Sequence, residues 1–205
     1  MKTSFRLAAL LAFIAAPASF ATTLVALDFN MLTRASDAIV VGKVTKVEPR
    51  LSKDGSRITT HFTVEVSDAL KGDKVQLVEI VQQGGIVGDM GQKVAGTVPL
   101  KAGEEIVGFL ERRGPSRFMF TGMAQGVFRV ERSTDGAATF AVQAAEGDVM
   151  LLDPVTRAPV SRGTEPMKLD DLKARVRVAL APPGVAEQPG LVRPPPAVEP
   201  RKAVK

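Results

Sequence analysis

Across 205 residues the chain is 45% hydrophobic and 24% charged, and it has no cysteine, tryptophan or tyrosine. The missing thiols exclude disulfides, thiolate metal sites and thiol catalysis, and the missing rings leave only phenylalanine as a stacking platform for sugars or single strands. The formal net charge of +5 becomes +3 without Lys2 and Arg6 of the leader described next, and its thin spread gives no basic cluster of the kind nucleic acid demands.

Residues 1–21 read as a secretory signal peptide. Lys2 and Arg6 precede an apolar run from Leu7 to Ala16, and the small residues Ser19 and Ala21 place cleavage between Ala21 and Thr22. The run reaches only about half of the ~20 residues needed to span a bilayer. The protein is therefore expected in a periplasm or outside the cell.

Residues 22–180 read as one β-rich domain, long enough to bury a core. After an extended start (Thr22 to Leu27), Asp28 caps a short helix reaching Ser36, with Phe29, Leu32 and Ala35 on one face. Ala38 to Val47 is a β-branched strand whose alternation slips near Gly42, which predicts a bulge or bend. Ser52-Lys53-Asp54-Gly55 supplies a hairpin turn. Beyond it, Ile58, Thr60, Phe62, Val64 and Val66 alternate with Thr59, His61, Thr63, Glu65 and Ser67, one buried face and one wet face. Leu70-Lys71-Gly72-Asp73 turns the chain into a third strand, Val75 to Gln82.

Gln83 to Thr97 is a glycine-rich loop. Glu105 to Glu111 is a buried strand, Phe118 to Phe120 and Gly126 to Glu131 are two more, and Ala137 to Val142 returns after a turn at Ser133 to Gly136. Val149 to Leu152 adds a short strand. Pro166 opens a helix from Met167 to Leu180 with Leu169, Leu172, Val176 and Leu180 as its apolar stripe. Residues 181–205 are proline-rich and unpatterned, which predicts a disordered tail. The fold class is mainly β: a small Greek-key barrel (OB-like) or a sandwich, with a short N-terminal helix and a C-terminal helix.

The landmarks occur in a recurring order: Met31-Leu32 through Ser36-Asp37-Ala38-Ile39-Val40-Val41-Gly42-Lys43-Val44, then Leu70-Lys71-Gly72, Gly84-Gly85, Gly103-Glu104-Glu105, and Gly122-Met123-Ala124-Gln125-Gly126-Val127-Phe128-Arg129-Val130. In this order the chain resembles an uncharacterised group of exported bacterial single-domain β proteins. The resemblance spans Leu24 to Val142 and implies an exported β domain, with no activity to carry over.

Reactive groupings are sparse. His61 is the one histidine, and it falls on the wet face of its strand without partners that would make a zinc site or a triad. There is no Gly-x-Ser-x-Gly elbow and no Ser-x-x-Lys motif. Glu104-Glu105 and Asp170-Asp171 are adjacent pairs that diverge on a strand or a helix, unlike the carboxylates of a glycosidase. The glycine-rich loop lacks the spacing of a phosphate cradle.

No catalytic residue, cofactor or metal is expected. The leading expectation is a non-enzymatic exported module binding another exported protein or a cell-envelope polymer through loops at one barrel end. Its binding residues would be Gln83, Ile86, Val87, Asp89, Met90, Gln92, Lys93 and Gln125. The alternatives are a hydrolase with an unrecognised Ser/Lys or carboxylate site, and an OB-type binder of single-strand nucleic acid or oligosaccharide.

Overall fold

The computed structural model describes residues 22–144, 149–161 and 165–181, so the leader and all of the tail after Ala181 lie outside the described residues. Strand β1 (Thr22–Val25) leads into helix α1 (Phe29–Ala35). The Asp28 carboxylate caps this helix as its residue type predicts, accepting from the Met31 N–H at 2.7 Å. At the far end, Lys71 Nζ donates to the Thr33 and Arg34 carbonyls (3.0 and 3.1 Å) and to that of Ser36, where helix geometry leaves acceptors unpaired.

The long strands β2 (Ala38–Leu51) and β3 (Ile58–Lys71) pair antiparallel over most of their length. The bend expected near Gly42 is present. The register shifts between Val41 and Gly42, and again beside Ile39 and Val44. A Cβ on Gly42 would lie 2.4 Å from the Glu65 carbonyl oxygen, so the strands approach there only because the side chain is missing. Strand β4 (Leu77–Gln83) pairs with β3. A small separate hairpin follows, β5 (Gly85–Val87) and β6 (Met90–Gln92), where the sequence suggested only a loop. Strands β7 (Glu105–Arg112) and β8 (Arg117–Phe120) complete a ring.

In that ring β7 pairs with β2 on one side and β8 on the other, and β8 returns to β4 as the one parallel neighbour. The result is a closed five-strand barrel, which decides between the expected barrel and sandwich. At β7 the sheet forks. A 3-10 turn (Met123–Gly126) carries the chain from β8 to strand β9 (Val127–Arg132), which shares the β7 edge and continues into β10 (Thr139–Gln143). Strands β11 (Val149–Leu152) and β12 (Pro159–Val160) join β1 in a second small sheet. Strand β13 (Met167–Lys168) then pairs with β10, and helix α2 (Leu169–Leu180) ends the described chain. Pro166 therefore does not open the helix. Met167 is drawn into the ladder opposite Ala141, and the helix starts after it.

Alternation in β2 and β7 produces two cores. Val40, Val44, Ile106 and Leu110 point into the barrel with Phe62, Val64 and Ile80. Ile39, Val41, Val107 and Phe109 point outward and are covered by Leu32 of α1 and by Leu172 and Val176 of α2. Residues 38–42 of β2 and 106–110 of β7 are thus buried on both faces.

Candidate functional site

The β2–β3 hairpin outruns its neighbours. The backbone N–H of Val44 donates to the Glu104 carbonyl and that of Gly103 donates to the Val44 carbonyl (2.8 and 2.7 Å). Among the described residues no strand pairs with that side of β2 from Lys46 to Leu51. The inward faces of β2 and β3 here, Val47, Pro49, Thr60 and Phe62, form one wall of a groove of about 740 Å³ at the barrel end. The end of β4, the β5–β6 hairpin with Lys93 after it, and residues 97–100 form the rest of it.

Side chains of Gln82, Thr60 and Gln92 hold the walls in place. The Gln82 amide clasps Val98, donating to its carbonyl (3.1 Å) and accepting from its N–H (2.9 Å). That pulls Val98 and Leu100 into the barrel as its end cap, 1% and 5% exposed. The Ile58 N–H donates to Gln92 Oε1 at 2.6 Å, and Thr60 Oγ1 donates to the Gly84 carbonyl at 2.7 Å. Gly85 has φ 139°, and a Cβ there would stand 2.5 Å from Thr60 Oγ1. Only glycine lets the hairpin start so close to the wall.

Of the eight residues singled out from sequence, Gln83, Ile86, Gln92 and Lys93 line this groove. Val87, Asp89 and Met90 belong to the same hairpin but are not in the lining. Ile86 is 70% exposed and Met90 49%, so the hairpin stands beside the barrel mouth; the lid over the barrel is residues 97–100. Gln92 spends its carbonyl oxygen on Ile58, a positioning role.

Gln125 lies elsewhere. It is 6% exposed, accepts from the Leu27 N–H (2.8 Å) and donates to the Val25 carbonyl (3.1 Å), tying β1 to the barrel. Both of these backbone partners lie about a hundred positions earlier in the chain. None of the described grooves is lined by Gln125.

His61 departs from the expectation of a wet face. It points away from the barrel interior as predicted, yet it is 9% exposed. Long side chains from both neighbouring strands cover it, Glu79 Oε1 at 2.7 Å and Arg50 Nη1 at 3.3 Å from Nδ1, and Thr59 Oγ1 of its own strand lies 3.2 Å from Nε2. A carboxylate can only accept, so Nδ1 donates to Glu79 and cannot also accept from Arg50. The Arg50 guanidinium, 3.7 Å from Glu79, then balances the carboxylate. Glu48 also meets Arg50 (3.0 Å) and Lys46 (2.8 Å), and these cations, Lys46 foremost, hold its carboxyl below the ordinary value. Sequence missed this cover because it comes from two other strands.

The order hydroxyl, imidazole, carboxylate is that of a hydrolytic triad. Here it lacks the rest of such a site. Thr59 and Thr63 sit in a regular ladder, and none of the described grooves includes Thr59, His61 or Glu79. Ser36 and Lys71 also meet, but the amine binds the serine carbonyl, and the buried hydroxyl donates to Leu32 and lies 2.9 Å from Thr121 Oγ1. Of the acidic pairs, Glu104 faces Arg129 and Glu105 faces Arg132 (3.6 and 3.7 Å), while Asp170 and Asp171 occupy the first turn of α2.

Among the described residues no three metal-ligating side chains converge, and no helix is long and apolar enough to cross a membrane. No protein-family model matches the chain, and no curated protein matches it.

Proposed function

We propose that this chain is an exported, non-enzymatic β-barrel module that holds a segment of another protein in the groove at its barrel end. One observation carries the reading: a groove of about 740 Å³ lined by apolar and amide side chains without a single carboxylate, with Ile86 exposed on its wall. Concave, largely apolar recesses with a few placed polar groups are where ligands bind, and Pro49, Ile86 and Pro99 together expose apolar surface in this one.

The connectivity agrees with this choice. Five strands with a parallel closing pair resemble OB-type barrels, which bind ligands on the face of their second and third strands and in adjoining loops. Those ligands are commonly oligonucleotides or oligosaccharides, and both need exposed aromatic platforms. The chain has no tryptophan or tyrosine, and the groove's one ring, Phe62, is 1% exposed. A protein segment needs no such platform, and we favour it over an envelope polymer for that reason.

Site-specific photo-crosslinking in the producing cell tests the reading. A photoreactive residue at position 86 should yield one discrete protein adduct. The same residue at Val155, 86% exposed and outside the groove, is the control and should yield none. Equal labelling from both, or none from position 86, would reject the groove as the binding surface. The hydrolase alternative is answered separately, by broad activity profiling of the purified protein and of its Thr59→Ala and His61→Gln variants. Turnover lost in either variant would displace the binding reading.

A further inference from the structure

We propose that the groove accepts an extended peptide whose side chains combine apolar and acidic residues; this rests on the binding reading above. The apolar half of the statement comes from the walls. Pro49, Ile86 and Pro99 are exposed and Val47 is half-buried, all of them facing the groove.

The acidic half comes from charge. Lys93 is the one charged residue in the lining. Arg57 and Lys101 are chain neighbours of the groove's supports, the first preceding Ile58, which Gln92 clasps, and the second following Leu100 of the lining. Both are exposed, and neither enters an ion pair among the described residues. The carboxylates on the two nearby turns form no ion pair with Arg57 or Lys101. Asp54 is engaged by Ser52 and Ser56 at the tip of the β2–β3 hairpin, and Asp89 sits at the tip of β5–β6, outside the lining.

The edge beside the groove selects against the simplest rival, a second copy of this chain added strand to strand. The Ile58 carbonyl accepts from the Gly84 N–H, so the backbone groups of Ile58 face β4. By alternation, Thr59 exchanges hydrogen bonds with Arg50, and the backbone of Pro49 faces the open side of β2. Proline has no donor to give there, and Lys46, Glu48 and Arg50 flank it with charge. Edges built this way repel strand addition. Recognition must therefore come from side chains in the recess, and a recess with walls suits a chain better than a membrane surface.

The test uses the signal-free protein from Thr22 onward and three labelled, proline-interrupted peptides of equal length in which Leu alternates with Glu, Gln or Lys. The Glu peptide should bind about tenfold more tightly than the Gln peptide, with the advantage shrinking as salt rises from about 50 to about 300 mM. The double variant Arg57→Glu/Lys101→Glu should abolish that advantage, and Ile86→Asp should weaken every peptide. Equal binding of the Glu and Gln peptides, still sensitive to Ile86→Asp, would overturn the acidic preference and leave the groove reading standing. Failure of all three peptides would overturn both. Capture by phosphatidylglycerol vesicles in place of peptides would overturn the inference in favour of a lipid surface.

Discussion

Asp54 shows how much a single turn residue is asked to do. Its carboxylate accepts from the Ser52 and Ser56 hydroxyls (2.6 and 2.7 Å) and from the Ser56 N–H (3.2 Å), and these donors, Ser52 first, bring its pKa down to about 2 from an ordinary 3.8. A lowered folded-state value means that the turn gains stability above the unfolded value and loses it as pH falls from about 3.8 through about 2. Asp54 is fully solvent-exposed, so the effect is local. A carbon-detected NMR titration should place the Asp54 midpoint near 2 and move it toward 3.8 in Ser52→Ala. A midpoint unchanged by that substitution would show that the serine contacts are not its cause. The same turn sets the tip of the wall on which the groove depends, since Ser52 Oγ also accepts from the Arg57 N–H at 2.9 Å.

At the scale of elements, helix α2 is the clearest case of pattern becoming packing. Leu172 and Val176 are 0% exposed against the outward faces of β2 and β7, whereas Val178 is 75% exposed. Leu172→Ala should cost about 2–5 kcal/mol, through lost burial and the cavity left behind. Val178→Ala should stay within about 0.5 kcal/mol of the parent. Denaturant melts of the two variants check the contrast, and similar costs would mean that the helix is packed otherwise.

The stripe of α2, the cap at Asp28, the bulge at Gly42 and the inward face of β3 were legible because each follows from residues close in sequence. The β5–β6 hairpin was not. Its glycines read as a loop, and what orders it is distant, namely Ile58 reaching Gln92 and Thr60 reaching Gly84. Strand β13 was hidden for a similar reason, because Pro166 is a sound helix opener until Ala141 offers Met167 a ladder. Half of the candidate binding residues, Gln83, Ile86, Gln92 and Lys93, came together in the groove because they belong to one short stretch of chain. Gln125 went instead to a backbone segment at Val25 and Leu27 that no local rule could name.

For the molecule as a whole, the decisive feature is that β2 and β7 serve two cores at once. If the helical layer melted alone, Ile39, Val41, Val107 and Phe109, all at most 2% exposed, would face water. At about 1.5–3 kcal/mol each, that exposure would cost about 6–12 kcal/mol. Domains of this kind have a total stability of about 5–15 kcal/mol. A bare barrel without its helices is therefore too costly to persist, and the two cores should unfold together. The chain has no tryptophan, which leaves the fluorescence window open for one reporter in each layer. Phe29→Trp would report on the outer core and Phe118→Trp on the barrel, where Phe118 is 8% exposed. In urea, both fluorescence transitions should coincide with the loss of far-ultraviolet dichroism. A helix-side midpoint lower by more than about 0.5 M, with the barrel signal intact, would break the coupling argued here. Coincidence carries a consequence for binding as well. The groove is built on the far end of the same β2 strand, so destabilising the helical layer should deplete folded, binding-competent protein rather than release a still-functional barrel.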